Sequence, residues 1–367
     1  MQNTTFDVKV PGKLMIAGEY AVTEPNQASI VVAVDRYISA KITVSDRNKL
    51  TLPQLELNDV TWDITSGMVD FQEYDNRLRF IKNTFQVVYN YLHEQNMDII
   101  PFHLAVTSEL DDPSGRKYGL GSSAAIVVAV VTAMLKLHES EKEISNPEKI
   151  FKLAAIAHFK TQGNGSCADI AASTFGGWLH YTAFQADWLI EKIHKESSIS
   201  DLLTVDWPML SISSITPPKN LAFYVGWTGE AASTAPMVTK IQQFRKKNPT
   251  VYRAFLEESN RAVALIVKGF NQDNATYVLQ GIKQNRHVLC HISEQADTII
   301  ETDQLRKLAN IAEEYGSGKS SGAGGGDCGI AFVSDRSQVK QLKADWLEAE
   351  IKPLNLQASD QGAFVSF

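Results

Sequence analysis

The chain has 367 residues, 44% of them hydrophobic and 21% charged, and carries a formal net charge of −7. That length predicts two domains, and the composition is that of an ordinary soluble globular protein rather than a disordered or fibrous one. The acidic balance argues against a non-specific nucleic-acid binder, which needs a basic field, but leaves room for a local basic pocket that takes a phosphorylated metabolite.

Taken in order, Met1–Val10 lacks a charged leader followed by an apolar core, so no secretory signal is read there. Val8–Val10 and Ile30–Val44 read as strands from their β-branched residues and partial alternation. Between them Pro11-Gly12-Lys13 places a cation directly after what reads as a rigid turn; as a purely structural feature it would be a surface lysine in a hairpin. Residues 45–75 are polar and turn-rich, with strand pieces around Leu50–Leu57. Leu78–Gln95 carries Phe80, Ile81, Phe85, Val88, Tyr91 and Leu92 at helical spacing, which predicts an amphipathic helix. A strand at Phe102–Thr107 follows, and then the polar segment Ser108–Lys117.

The chain is organised around what comes next, Tyr118-Gly119-Leu120-Gly121-Ser122-Ser123-Ala124-Ala125, running into Ile126–Val131. Two glycines free the backbone for a tight loop, and two serines stand where a helix begins, with hydroxyls able to cap its first N–H groups. The small apolar residues after them predict a helix buried on every side. The N-terminus of such a helix stabilises an anion, phosphate above all, although a serine-capped structural helix reads the same way on this octet alone. The longest apolar run, Ala124–Val131, is far too short to span a bilayer, so the expectation is a cytoplasmic protein with neither membrane nor nucleic-acid partners.

A helix is predicted over Ile150–His158, then a second glycine turn, Gln162-Gly163-Asn164-Gly165-Ser166-Cys167-Ala168-Asp169. Asp169 is the only acid between Glu148 and Asp187 and stands among small or apolar neighbours; it is paired, functional, or a helix cap. Cys167, Cys290 and Cys328 show no metal-ligand spacing and suit a reducing compartment. Residues 185–215 read as a mixed connection and the best domain boundary. Leu221–Trp227 reads as a strand, Thr228–Met237 as a small-residue turn containing Ser233 and Thr234, and 234–315 as three helical patterns. A third glycine-rich segment, Lys319–Gly329, abuts a strand at Ile330–Val333. Its density of glycine points to close approach of the backbone to a ligand or to another loop.

Two local matches mislead. Gly119-Leu-Gly121-Ser-Ser-Ala124 fits a relaxed dinucleotide fingerprint, but Ser108–Lys117 separates it from the preceding strand. Gly318-Lys319-Ser320 resembles the end of a P-loop, but the required earlier glycine falls on Glu313, and Leu305–Tyr315 reads as a helix.

Pro-Gly-Lys near the start, Gly-Leu-Gly-Ser-Ser-Ala in the middle and Ser-Gly-Ala-Gly-Gly-Gly-Asp near the end together resemble the three motifs of the galacto-, homoserine, mevalonate and phosphomevalonate (GHMP) kinase superfamily, over the whole chain. Within it, Gly18-Glu19-Tyr20-Ala21-Val22, Lys117–Ser123, Val225-Gly226-Trp227-Thr228 and Lys319–Ile330 look most like the bacterial-type phosphomevalonate kinases. Mevalonate kinases carry Gly-Glu-His where this chain has Gly18-Glu19-Tyr20, and their magnesium-binding glutamate would fall on His158. The resemblance implies an α+β architecture: a ribosomal protein S5 domain 2-like N-terminal domain over 1–215, a ferredoxin-like C-terminal domain over 216–367, and an active site in the cleft between them. It implies transfer of the γ-phosphoryl of ATP, with Mg²⁺, to 5-phosphomevalonate in isoprenoid synthesis. The rival readings are mevalonate kinase or another small-molecule kinase of the superfamily, and a catalytically silent binding protein on the same fold.

Carried onto these residues, the resemblance makes Lys13 the cation between donor and acceptor and Asp169 the family's candidate base. With a phosphate acceptor, Asp169 is assigned mainly to orienting Lys13 and the acceptor. Lys117, Gly119, Leu120, Gly121, Ser122, Ser123 and Ala124 would hold the ATP phosphates, with the hydroxyls of Ser122 and Ser123 reaching phosphate or Mg²⁺. Tyr20, Ser166, Ser233, Thr234, Ser321, Gly322, Ala323 and Gly324 would line the acceptor side.

Overall fold

The structure is a computed structural model that describes residues 4–72, 75–139, 146–195, 197–230 and 234–366. The chain opens with two long antiparallel strands, β1 (Thr5–Ala17) and β2 (Ala28–Val44). Pro11-Gly12 is not a turn, as the sequence suggested, but lies inside β1 at a register shift against β2. A bulge tolerates a residue without an N–H, and it re-aims the strand immediately before Lys13. Short strands β3 (Lys49–Leu52), β4 (Leu57–Thr65) and β5 (Met68–Phe71) follow, then α1 (Arg79–Glu94) and β6 (Phe102–Ser108).

The predicted buried helix is α2 (Ser122–His138), with Ala124, Ala125 and every residue from Val127 to Leu135 buried. Next come α3 (Pro147–Gln162), α4 (Ala168–Phe175) and β7 (Trp178–Thr182). Helix α3 is longer than its apolar pattern, because Asn146 caps Glu148 N–H, Pro147 starts the first turn and Gly163 closes the last with φ 76°. The region read as a mixed connection forms α5 (Ala186–His194), α6 (Ile199–Thr204) and β8 (Ser211–Ile215), the last paired with β7.

The second half opens with β9 (Ala222–Trp227). Four helices, not three, occupy 234–315: α7 (Thr234–Lys247), α8 (Pro249–Asn271), α9 (Ala275–Gln295) and α10 (Asp303–Tyr315). Asn248-Pro249 divides the first pattern, since proline is accepted at the start of a helix and not inside one. The chain ends with β10 (Gly316–Ser320), β11 (Cys328–Val333), α11 (Val339–Glu348), β12 (Lys352–Leu354) and β13 (Phe364–Ser366). Gly318-Lys319-Ser320 lies in strand β10, so the P-loop reading fails in structure as it did in spacing.

These elements form two sheets. The first runs β13-β1-β2-β6-β3-β4-β5 with β7 and β8 added beside β2, and the second is antiparallel in the order β10-β11-β9-β12. The boundary expected at 215/216 falls between β8 and β9, but β13 returns to pair with β1 in the first sheet. Helices α2 and α4 pack on β1 and β2, and α9 and α10 on the second sheet. Trp178 of β7 meets Phe223, Phe270 and Phe332 with ring centroids 5.3–6.1 Å apart, so one apolar core runs from the first sheet into the second. Among the described residues no helix is long and apolar enough to cross a membrane.

Phe85 of α1 is fully buried, with its ring centroid 4.6 Å from Trp62 and 5.7 Å from Phe102. Phe85→Ala is expected to lower the unfolding free energy by about 3–5 kcal/mol, through lost burial and a residual cavity. Urea denaturation with the m-value held constant checks it.

Candidate active site

Three glycine-bearing segments meet at Lys13. The backbone of β1 is pinned to the central loop by Lys13 N–H donating to the Leu120 carbonyl at 2.9 Å. Gly119 and Gly121 have φ of 82° and 79°, and neither has room for a side chain: a Cβ at Gly119 would stand 2.7 Å from the Asp327 carboxylate, and one at Gly121 2.9 Å from Lys13 Cε. The Lys13 side chain therefore lies along Gly121 at the mouth of α2, half-buried, with Nζ 3.4 Å from the Gly119 carbonyl.

The start of α2 corrects one expectation. Gly121 holds the N-cap position and no side chain caps the helix; Ser122 and Ser123 are its first two residues. Their half-buried hydroxyls are engaged by no other described residue. A helix start of this kind, with unfilled donors and a lysine across it, can receive an anion. Lys117 is exposed beside it, and its carbonyl accepts from Trp227 Nε1 at 3.2 Å.

Asp169 sits in the first turn of α4, whose N-cap is Cys167, so it is not the helix cap. Its Oδ1 accepts from Ile170 N–H at 3.0 Å. One turn further on, Ser173 Oγ donates to the Pro11 carbonyl at 2.8 Å, which fixes α4 against β1 just before Lys13. Positions 169 and 173 share a helix face, so Asp169 lies on the side of α4 that meets β1. No ion pair within 4.0 Å joins Asp169 to Lys13 among the described residues. Lys13 is thus oriented by the Gly119–Gly121 backbone, and not by a direct bond to Asp169.

The charge of Asp169 is felt by its surroundings. Burial pushes the Cys167 thiol and the Tyr181 hydroxyl well up, and Asp169 adds to both. Tyr181 donates to the Ser166 carbonyl at 2.5 Å and so holds the half-buried glycine turn that carries Ser166. His158 is 4% exposed, burial holds its imidazole below the usual value, and Asp169 opposes that shift. Its Nδ1 is buried with no partner among the described residues.

The third segment is built by close approach to another loop. Gly325 N–H donates to the Ile300 carbonyl at 2.8 Å, and a Cβ at Gly324 would stand 2.1 Å from that same oxygen. Asp327 N–H donates to the Glu230 carbonyl at 2.8 Å, and the Asp327 carbonyl accepts from Thr228 N–H and Oγ1, each at 3.0 Å. Ser321 Oγ donates to the Met15 carbonyl at 2.9 Å, while Gly322 faces open space. Tyr20 is 7% exposed and its hydroxyl donates to the Ala323 carbonyl at 2.5 Å, so its proton is spent within the protein. Burial, with the adjacent Glu19 charge, pushes that phenol well up. Thr234 opens α7, and Ser233 lies outside the described residues.

Sequence reasoning missed the residues that hold this loop. Arg286 forms a two-pronged bond to Glu301 at 2.8 and 3.0 Å and reaches Glu313 at 2.9 Å, fixing the segment that carries Ile300. In the sequence these charges lie too far apart to signal one another. Magnesium fits what is present. Among the described residues no group of three or more His, Cys, Asp or Glu side chains could hold a metal. Mg²⁺ bound through phosphates, water and one or two protein oxygens needs no such cage, and the unengaged hydroxyls of Ser122 and Ser123 at the start of α2 are oxygens of the kind it takes.

Known proteins share this fold. The GHMP kinase N-terminal domain matches residues 79–177 and the GHMP kinase C-terminal domain residues 267–352. A phosphomevalonate kinase of Streptomyces sp. (strain CL190) is 32% identical over 96% of both chains. A Listeria innocua protein of solved structure superposes with a TM-score of 0.93 at 36% identity, covering 99% of each chain. The Streptococcus pneumoniae phosphomevalonate kinase, solved in complex with phosphomevalonate and AMPPNP, superposes with a TM-score of 0.83 at 29% identity, over 96% of this chain and 99% of that one. The chain belongs to the GHMP kinases. It is a phosphotransferase with the two-domain α+β fold of that family, similar over nearly its whole length to phosphomevalonate kinases.

Two outcomes follow from this geometry. Gly121→Ala must strain a positive-φ position and push Lys13 aside. ADP release should fall by about a hundredfold while stability drops by only about 1–2 kcal/mol, as kinetics and thermal melting will show. His158 should titrate below the free-imidazole value of about 6.5, and Asp169→Asn should lower it further, read by NMR. Because the folded pKa is depressed, this group's contribution to stability is complete above the unfolded value and is lost as pH falls through the folded one.

Proposed function

We propose that the chain transfers the γ-phosphoryl of ATP to (R)-5-phosphomevalonate, giving ADP and (R)-5-diphosphomevalonate in the mevalonate pathway. The observation that carries this reading is Lys13 laid along Gly121 at the open N-terminus of a buried helix, beside two unengaged serine hydroxyls. The similarity to phosphomevalonate kinases supports the choice of acceptor, as do Tyr20 and the Gln162–Asp169 run, which depart from the mevalonate-kinase pattern. In this reading residues 1–215 form the ATP-binding domain and the second domain starts at 216. The protein works in the cytoplasm on small molecules.

Phosphoryl transfer is mostly positioning and charge neutralisation, since the transition state spreads charge over the equatorial oxygens. The N–H groups at the start of α2, with Gly119–Ala124 and Lys117, hold the ATP phosphates. Ser122 and Ser123 supply oxygens to Mg²⁺, which when bound neutralises the phosphates. Lys13 stands between donor and acceptor. The acceptor takes the side of Ser166 and the backbone of Ser321–Gly324, where the Tyr20 hydroxyl binds the Ala323 carbonyl; the family resemblance adds Ser233 and Thr234. Asp169, on the face of α4 that meets β1, shapes the field around the acceptor. A phosphate acceptor with a second pKa of about 6 is already largely dianionic at neutral pH and needs little help from a base.

In a coupled ADP-release assay phosphomevalonate should be turned over and mevalonate should be a poor acceptor; comparable rates with mevalonate would reassign the enzyme. Lys13→Met should lower kcat severely. Asp169→Asn should cost less than the roughly 10²–10⁴ typical of losing a general base, and leave KM for phosphomevalonate nearly unchanged. If a folded Asp169→Asn protein is as inactive as Lys13→Met, and raising the pH restores nothing, Asp169 is a full partner in the chemistry. Replacing both Ser122 and Ser123 with alanine should weaken use of ATP and Mg²⁺ far more than acceptor binding. Unchanged activity at saturating ATP and Mg²⁺ would make the serines purely structural.

A further inference from the structure

Lys319 and Glu19 enter the sequence motifs without a role of their own, yet these two form the most deeply buried ion pair among the described residues. Lys319 is 0% exposed and Glu19 3%. Lys319 Nζ donates to Glu19 Oε1 and, at 2.6 Å, to the Ser320 carbonyl. The partners lie 300 residues apart. Glu19 directly follows the strand of Lys13, after one glycine, and Lys319 is on β10, immediately before the glycine-rich loop. Glu19 Oε2 is buried with no partner among the described residues, so the acid is held by one oxygen only. Removing two charges from water is costly, and a well-packed apolar pair would hold the halves together at least as well. Stability alone is therefore a weak reason for such a pair. The next residue makes a second tie, Tyr20 hydroxyl to Ala323 carbonyl, and Tyr20 itself sits at φ 61°.

We propose that the Glu19–Lys319 pair and the Tyr20–Ala323 bond form a strut that sets the glycine-rich loop, 321–327, at a fixed distance from the strand bearing Lys13. Glu19 and Lys319 are positioning residues: both are shut away from solvent, and they act through the loop and through Lys13. Directional bonds fix register, which an apolar contact does not. Misplacement by about 1 Å of groups that line up two phosphates can cost a hundredfold in rate. The proposal rests on the phosphoryl-transfer reading for its kinetic test only.

The decisive variant is Glu19→Met/Lys319→Met, which removes both charges and leaves packing of similar volume. Either single change leaves a buried charge unpaired and should lower Tm, whereas the double variant should recover most of the loss. If the pair only stabilises the fold, activity recovers with Tm. If it positions, kcat stays down by about ten- to a hundredfold with KM for ATP little changed. Amide exchange of residues 320–328 in the ligand-free protein should meanwhile rise well above wild type. A folded double variant with kcat within about twofold of wild type, or with unchanged exchange at 320–328, overturns the proposal. If the double variant does not fold, Tyr20→Phe decides by the same two readouts; a mere substrate contact would not raise exchange in the absence of ligand. Wild-type protein that turns over no phosphomevalonate defeats the proposed function and leaves the exchange measurement standing as the test of the strut.

Discussion

The structure depends on the crowding of three backbone segments around one lysine side chain. Gly119 lies against Asp327, Gly121 against Lys13 Cε, and Lys13 N–H binds the Leu120 carbonyl. The first two approaches are closer than a Cβ allows, so those segments meet where glycine stands. The same crowding leaves the first N–H groups of α2 facing a lysine instead of a capping side chain. An anion that enters meets oriented dipoles and a positive charge already in place, with little reorganisation to be done during the reaction.

The two halves are packed together away from the candidate site as well. The connection between β1 and β2 inserts into the C-terminal helices, where Tyr20 and Ala21 pack with Ile241, Phe244, Tyr252, Phe255, Ile292 and Ile300. Glu24, 7% exposed, accepts from Tyr252 at 3.2 Å and pairs with Arg245 at 2.7 Å. Ile300 in turn holds Gly325, and Arg286 holds the segment of Ile300. Structural charges and the glycine-rich backbone thus belong to one continuous set of contacts. The loop that would face the acceptor is built like a core element, although it is rich in glycine.

The cysteines illustrate how far chemistry follows from placement. Burial pushes Cys328 and Cys167 up, with Asp327 and Asp169 adding to each, and Cys290 is raised to about 11 by burial and the Glu301 charge. Burial thus holds all three thiols in the protonated form near neutral pH.

By itself the sequence determined the pieces whose information is local. The periodicity of Leu78–Gln95, the unbroken apolar run after Ser123 and the strand at Ile330–Val333 each appear within a residue or two of where they were read. The third glycine cluster marked where one loop approaches another, with Gly324 against the Ile300 carbonyl and Gly326 against that of Glu230, because only an absent Cβ permits it. The order of those clusters was enough to place the chain among the GHMP kinases. What depended on distant partners was not legible. Pro11-Gly12 read as a turn because nothing local reveals that β2 pairs across a bulge there. Ser122 read as a cap because nothing local shows that Gly121 takes the N-cap position in a left-handed conformation, packed against Lys13 more than a hundred residues away. Nothing local to Lys319 tells that it is fully buried, since the counter-charge it meets among the described residues, Glu19, lies at the other end of the chain. Propensity and periodicity act over a few residues, whereas burial of a charge is settled by whichever group the fold brings beside it. The tertiary structure alone decided that.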